Sequence, residues 1–212
     1  KPTGLNRTFP NIVNFESVFG LEELKWSNPD MPLYDVTFPF IRMVQGPVDY
    51  TPGAYRNATR DGFKIDYRNP MSQGTRAHQV ATYVVFDAPL VMLCDSPTRY
   101  MADDACTRFI ASLQVLAGRI GEYIVTARRA GEKWYVGGLT DWTPRTLEAD
   151  LSFLVPGREY TATLLCDDER SDIEPERHTI ASQKVTSATR LQIPVAPGGG
   201  FALKIEPVET DE

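Results

Sequence analysis

Two glutamates in one short stretch have the chemistry to move a proton or hold a cation. Glu16 sits in Asn14-Phe15-Glu16-Ser17 and Glu22 in Gly20-Leu21-Glu22-Glu23, among the aromatics Phe15, Phe19 and Trp26. A carboxyl group beside aromatic rings loses hydration, its pKa rises, and it can keep a proton for delivery as a general acid. A glutamate in a loop can also serve a hard cation such as Ca²⁺, although no EF-hand spacing is present. Taken alone, solvated surface glutamates give the same pattern, and the surface is the usual place for Glu.

Other chemistry has little material. The two histidines, His78 and His178, are too few for a His-rich metal site. The three cysteines, Cys94, Cys106 and Cys166, include no Cys-x-x-Cys pair, so a zinc knuckle is unsupported and buried free thiols are expected. A net charge of −6, with no basic stripe, argues against a nucleic-acid partner. No run of eighteen apolar residues exists to span a membrane. Asp49 and Tyr50 can contact a sugar or simply form a turn. Trp134 and Trp142 can offer a stacking platform, but core packing is the commoner use of such residues.

The elements that must position these residues fall into two parts. Residues 1 to about 70 are punctuated by Pro10, Pro29, Pro32, Pro39, Pro47, Pro52 and Pro70 and read as long loops joined by short elements. The apolar stretch Val36–Val44 reads as a buried strand made irregular by Pro39. Loops that follow buried strands are where a β/α barrel keeps its chemistry. Ala77, Val80, Ala81, Val84 and Val85 form one apolar face of a helix over residues 72–87, with Ser72 as its N-cap and His78 in ordinary packing or hydrogen bonding. Ala105, Phe109 and Leu113 give a second helix over Ala102–Leu113. From about residue 119 the period becomes two. A hairpin turns at Ala130-Gly131-Glu132, and further strands read at 149–153, 159–167, 178–185, 190–195 and 201–205. Short strands at this spacing suggest an antiparallel sandwich, with a boundary near 113–118.

Combined motifs resemble a known family. They are Lys-Pro-Thr-Gly-Leu-Asn-Arg-Thr-Phe-Pro-Asn (1–11), Asn-Phe-Glu-Ser-Val-Phe-Gly-Leu-Glu (14–22), Trp26, Pro39-Phe40, and Gly46-Pro47-Val48-Asp49-Tyr50-Thr51-Pro52-Gly53. Thr75-Arg76-Ala77-His78-Gln79, Leu93-Cys94-Asp95-Ser96-Pro97, Trp134-Tyr135-Val136-Gly137-Gly138 and Gly198-Gly199-Gly200-Phe201 continue the series. Together they resemble glycoside hydrolase family 97 over nearly the whole chain. The resemblance implies an α/β plus all-β organisation. Residues 1–115 would be the C-terminal end of a (β/α)8 TIM barrel, and residues 116–212 an antiparallel β-sandwich. It implies hydrolysis of α-glycosidic bonds in an oligosaccharide substrate, with Glu22 as general acid and Glu16 as a Ca²⁺ ligand. It favours the retaining α-galactosidase branch, from Gly20-Leu21-Glu22 followed by Lys25-Trp26, with the inverting α-glucosidase branch as runner-up. It also implies a periplasmic or secreted protein. The second catalytic carboxylate, the earlier part of the barrel and the N-terminal domain have no counterpart in this sequence, so the isolated chain is expected to be inactive. The link at Ser112-Leu113-Gln114-Val115 is shorter than the family's. A non-catalytic carbohydrate-binding or structural segment is the rival reading.

Overall fold

A computed structural model describes residues 5–9, 11–110 and 122–208. In chain order these form α1 (Leu5–Thr8), a 3₁₀ turn (Leu21–Lys25), α2 (Met31–Asp35), α3 (Phe38–Arg42), a second 3₁₀ turn (Met43–Gln45), β1 (Asn57–Ala58), β2 (Ser72–Gln73), α4 (Arg76–Val85), α5 (Pro97–Met101) and α6 (Asp104–Ile110). Seven longer strands follow: β3 (Tyr123–Ala130), β4 (Lys133–Thr140), β5 (Arg145–Asp150), β6 (Tyr160–Cys166), β7 (Thr179–Val185), β8 (Arg190–Val195) and β9 (Gly200–Pro207).

Strands β3-β4-β9-β6-β7 make one antiparallel sheet and β5-β8 a second. The alternation of side chains along a strand sends β9 both ways. Phe201, Leu203 and Ile205 join Val136, Tyr160 and Ala162 against Leu147, Ala149, Ile193 and Val195 of the β5–β8 pair. Ala202, with Tyr135 and Leu165, faces the opposite side and packs on Ala77, Val80 and Val84 of α4. The chain is therefore mostly β, with two sheets enclosing one core and α4 laid across the outer face of the larger sheet. Gly137 permits that approach, because a Cβ there would lie 2.8 Å from Val84 Cβ and 3.3 Å from Val85 Cγ2. The expected hairpin is present, and Gly131 takes its turn at φ 61°. The expected strands all form, that at 190–195 with the expected bounds and the others with shifted ends. That at 149–153 shifts most, because its pairing with β8 runs from Arg145 to Asp150.

Residues 5–110 differ more from expectation. The stretch Val36–Val44 is not a strand: Phe38–Arg42 is helical, with Pro39 in the first turn, where a missing N–H costs nothing. Helix α4 begins at Arg76, and its N-cap is Thr75, whose side chain accepts from the His78 N–H. Ser72 instead lies buried in β2, its hydroxyl donating to Ala54 O. The expected apolar face of α4 is correct, all five residues being fully buried. Helix α6 begins at Asp104 rather than Ala102 and buries Cys106 and Phe109, leaving Ala105 exposed. Leu113, the link at 112–115 and the boundary near 113–118 lie outside the described residues. Among the described residues the only parallel strand pairing is the two-residue β1–β2 pair, joined by the isolated bridge Phe15–Val48, and no closed barrel forms. No described helix is long and apolar enough to cross a membrane.

Candidate active site

The segment carrying both glutamates is fastened along residues 47–51. Phe15 N–H donates to Pro47 O at 3.4 Å, Asp49 N–H donates to Phe15 O at 2.9 Å, and Leu21 N–H donates to Thr51 O at 2.8 Å. Arg42 reinforces the first anchor. Its guanidinium is nearly buried and donates to Phe15 O at 2.7 Å, Glu16 O at 2.9 Å and Gly46 O at 3.0 Å. Ser17 then turns the chain at φ 70°, a conformation an L-residue adopts only under constraint. The Glu16 side chain projects into solvent.

Glu22 stands in the first turn of the 3₁₀ segment, between the buried anchors Leu21 and Leu24. Its Oε2 is shut off from solvent and has no hydrogen-bond partner among the described residues. Space for that oxygen exists because residue 20 is glycine. A Cβ on Gly20 would collide with Glu22 Oε2 and come within 2.9 Å of Thr51 Cβ. The neighbouring Glu23 has a different fate: its carboxylate accepts from Trp26 Nε1 at 2.8 Å on the surface.

Behind Glu22 lies a buried polar chain. Tyr50 donates from its hydroxyl to Asp35 Oδ1 at 3.0 Å, and Asp35 Oδ2 is 3.2 Å from His78 Nε2. His78 Nδ1 is 3.3 Å from Gly199 O, which links α2, α4 and the loop before β9. Burial pushes the Asp35 carboxyl above its ordinary pKa, against the pull of His78 and Tyr50. Burial also raises Tyr50 well above its usual value, and the charges of Asp35 and Glu22 add to that. Cys94 is raised by burial first, with the Glu22 charge a smaller contributor. Glu22 thus shares one neighbourhood with Tyr50 and Cys94. Phe38, Tyr50 and Phe86 close the apolar side, with ring centroids 4.6–5.8 Å apart.

The expected packing role of His78 holds, within a network whose other members, Asp35 and Tyr50, spacing alone did not reveal. Asp35 is a charged residue inside the apolar run Tyr34-Asp35-Val36, and that anomaly was the available signal. Asp49 is exposed. Trp134 packs on Phe153 at 4.5 Å, and Trp142 donates from Nε1 to Asp30 Oδ1 at 3.0 Å, so both are structural. Trp26, 53% exposed, is the tryptophan left open to solvent. The three cysteines are free thiols, as expected, though only Cys106 is fully buried. Neither Glu16 nor Glu22 belongs to a converging group of three His, Cys, Asp or Glu ligands among the described residues.

Comparison with known proteins gives this arrangement its context. Residues 110–206 match the family described as glycosyl-hydrolase 97 C-terminal, oligomerisation. A retaining α-galactosidase of Bacteroides thetaiotaomicron is 51% identical over 97% of this chain, which spans 32% of that protein. A probable retaining α-galactosidase of Streptomyces bingchenggensis is 30% identical over 95% of the chain and 29% of that protein. A solved glycoside hydrolase family 97 enzyme from a Pseudoalteromonas species, in complex with acarbose, superimposes with a TM-score of 0.83 at 30% identity, covering 97% of this chain and 33% of that one. The chain spans about a third of the length of the relatives it matches. Fold, motifs and these matches agree that residues 110–206 belong to the C-terminal domain family of glycoside hydrolase family 97, and that the chain as a whole is similar to a C-terminal portion of that family's enzymes.

Proposed function

We propose that this chain is the portion of a retaining α-galactosidase that carries the general acid, Glu22. The observation that supports the reading best is the Glu22 carboxyl itself, with one oxygen buried, unpaired and housed over Gly20. A glutamate fixed for structure alone would spend that oxygen on an arginine or an N–H group, since an unmet buried acceptor is costly. An acid that must hand a proton to a leaving oxygen has to keep it available. Residues 1–115 then form the end of the catalytic barrel and residues 116–212 the sandwich that braces it. The second carboxyl group, about 5–5.5 Å away in a retaining enzyme, and the rest of the barrel belong to the two thirds of the relatives' length that this chain does not match. The oligosaccharide would bind between those parts, and the isolated chain would not turn it over. A periplasmic or secreted location accompanies this reading.

Glu16 suits a Ca²⁺ ion as one ligand, being a solvent-facing carboxylate, a hard oxygen donor, on a segment pinned by Arg42. Ca²⁺ takes about 6–8 oxygens, so the remaining donors must come from elsewhere. Bound there, the ion would supply a fixed positive charge beside the sugar.

The test is Glu22→Gln in the full-length enzyme. Aryl α-galactosides with poor leaving groups should slow by roughly 10²–10⁴-fold, while those needing no protonation are little affected. Equal slowing, or none, removes Glu22 from the acid role. The inverting α-glucosidase reading draws on the 30% identical Pseudoalteromonas enzyme, seen with acarbose and with panose. NMR of the first-formed anomer separates the two outcomes.

A further inference from the structure

Beside Arg76, the first residue of α4, three ligand atoms of different chemistry converge. Cys106 Sγ lies 3.4 Å from His178 Nε2, and His178 Nε2 lies 3.7 Å from Asp103 Oδ1. Each of the three atoms is within 4.8 Å of the others. We propose that Asp103, Cys106 and His178 form a Zn²⁺ site that clamps helix α6 to the loop entering β7.

The spacing supports the ion. With Zn–S of about 2.3 Å and Zn–N of about 2.0 Å, a tetrahedral site has S···N and N···O edges of roughly 3.3–3.6 Å. The Sγ–Nε2 and Nε2–Oδ1 separations differ from those edges by a few tenths of an ångström, and the Cys106–Asp103 separation is within 4.8 Å. Asp103 caps the start of α6 and Cys106 lies three residues on, so the N-terminal end of the helix presents both. The cap geometry holds them in place: Cys106 N–H donates to Asp103 Oδ1 at 3.3 Å, and Thr107 N–H donates to Asp103 O at 3.1 Å. An ionised carboxylate has about four acceptor positions, so the capping bond leaves Oδ1 able to bind a metal.

The surroundings are those of a metal site's outer shell. His178 Nδ1 is 3.1 Å from Glu176 O. A carbonyl oxygen can only accept, so that contact assigns the ring proton to Nδ1. The lone pair on Nε2 is then aimed at Cys106 and Asp103. The loop bearing His178 is itself fixed, because Arg76 N–H donates to Pro175 O at 2.7 Å and Asn57 N–H to Glu176 Oε1 at 3.3 Å. Arg76 Nη1 holds the other oxygen of Asp103 at 2.7 Å, and Arg76 Nη2 lies 3.6 Å from Glu176. A cavity of about 320 Å³ bordered by Asp103, His178, Arg76 and Glu176 gives an ion a way in and leaves room for water as fourth ligand. Binding replaces the Cys106 S–H bond by S–Zn, and the proton passes to solvent. One thiolate, one imidazole and one carboxylate suit Zn²⁺ better than Ca²⁺ or Mg²⁺.

The test uses the 212-residue chain, stripped with a chelator and titrated with Zn²⁺ alone. One ion per chain should bind saturably, and Cys106→Ser and His178→Ala should each weaken binding by at least about tenfold. Cys166→Ser should bind like the parent. Co²⁺ in place of Zn²⁺ should give tetrahedral visible bands together with a thiolate charge-transfer band. Should Cys106→Ser fail to fold, the cobalt spectrum of the unsubstituted chain and the His178→Ala titration decide. Absence of saturable binding, a cobalt complex without the thiolate band, or parental affinity in His178→Ala would each overturn the site.

Discussion

His78 Nε2 lies 3.2 Å from Asp35 Oδ2, and both side chains are 1% exposed. The pair joins α2, which follows the segment bearing Glu22, to α4, which lies on the outer face of the larger sheet. Its continuation through His78 Nδ1 reaches Gly199 O in the sandwich. A polar link this deep is costly to break from one side, because the remaining partner keeps its desolvation without its compensation.

His78→Ala should therefore lower stability by roughly 3–5 kcal/mol, and Asp35→Ala by a similar amount. The double variant should cost clearly less than the sum, since each single change strands the other partner and the double change strands neither. Denaturant melts of the four proteins form the cycle. Additivity within about 0.5 kcal/mol would mean that the two side chains do not act as a pair.

Gly20→Ala in the full-length enzyme should displace the Glu22 carboxyl. The added methyl would occupy the place of Glu22 Oε2 and press on Thr51 Cβ, while the backbone at φ −90° accepts alanine without strain. The Glu22 carboxyl should swing away, and on the acid role proposed for it kcat should fall at least tenfold on substrates with poor leaving groups. A parental kcat would show that the position of this oxygen over Gly20 does not matter to the chemistry.

The β region was readable because its signals are local. Gly131 between two alternating runs and the alternation Leu191, Ile193, Val195 both register within a few residues. The apolar face of α4 is local too. Its start was misplaced because Ser72 and Thr75 are both capable caps, and only the tertiary pairing of β2 with β1 decides between them. Val36–Val44 misled because an apolar run of that length suits a strand or a short helix. At the site, Glu22 was legible only through motif resemblance. What makes its oxygen unusual is Thr51, 29 residues on, and the absent side chain of Gly20. Asp35 and His78, 43 residues apart, have no sequence signature as a pair.

Asp167 provides a pH test within the sandwich. Burial pushes its carboxyl up from 3.8 to about 6, against hydrogen bonds from Ala196 N–H at 2.9 Å and Gly200 N–H at 3.0 Å. The folded-state pKa exceeds the unfolded one, so the folded chain binds more protons between those values. Stability from this group is then complete below pH 3.8 and lost as pH rises through about 6. Asp167→Asn should match the parent near pH 4 and exceed it at pH 7, by up to about 3 kcal/mol. A stability difference that does not change with pH would rule out this carboxyl as the source.

The close approach of α4 to the sheet at Gly137 can be tested by the same logic of space. Gly137→Ala would place a methyl 2.8 Å from Val84 Cβ and 2.9 Å from its Cγ1, in a fully buried layer. Overpacking of this kind costs about 1–3 kcal/mol. Gly131→Ala is the contrast: no atom lies within 4 Å of its Cβ, so its cost comes only from the backbone at φ 61°. Val84→Ala removes the atoms that collide, and by itself opens a cavity. Combined, the two substitutions should cost less than their sum, because the new methyl at 137 fills part of the space left at 84. Thermal melts of the two single variants and the pair measure this. If the pair is no better than additive, the sheet and α4 yield by moving apart, and Gly137 does not set their spacing.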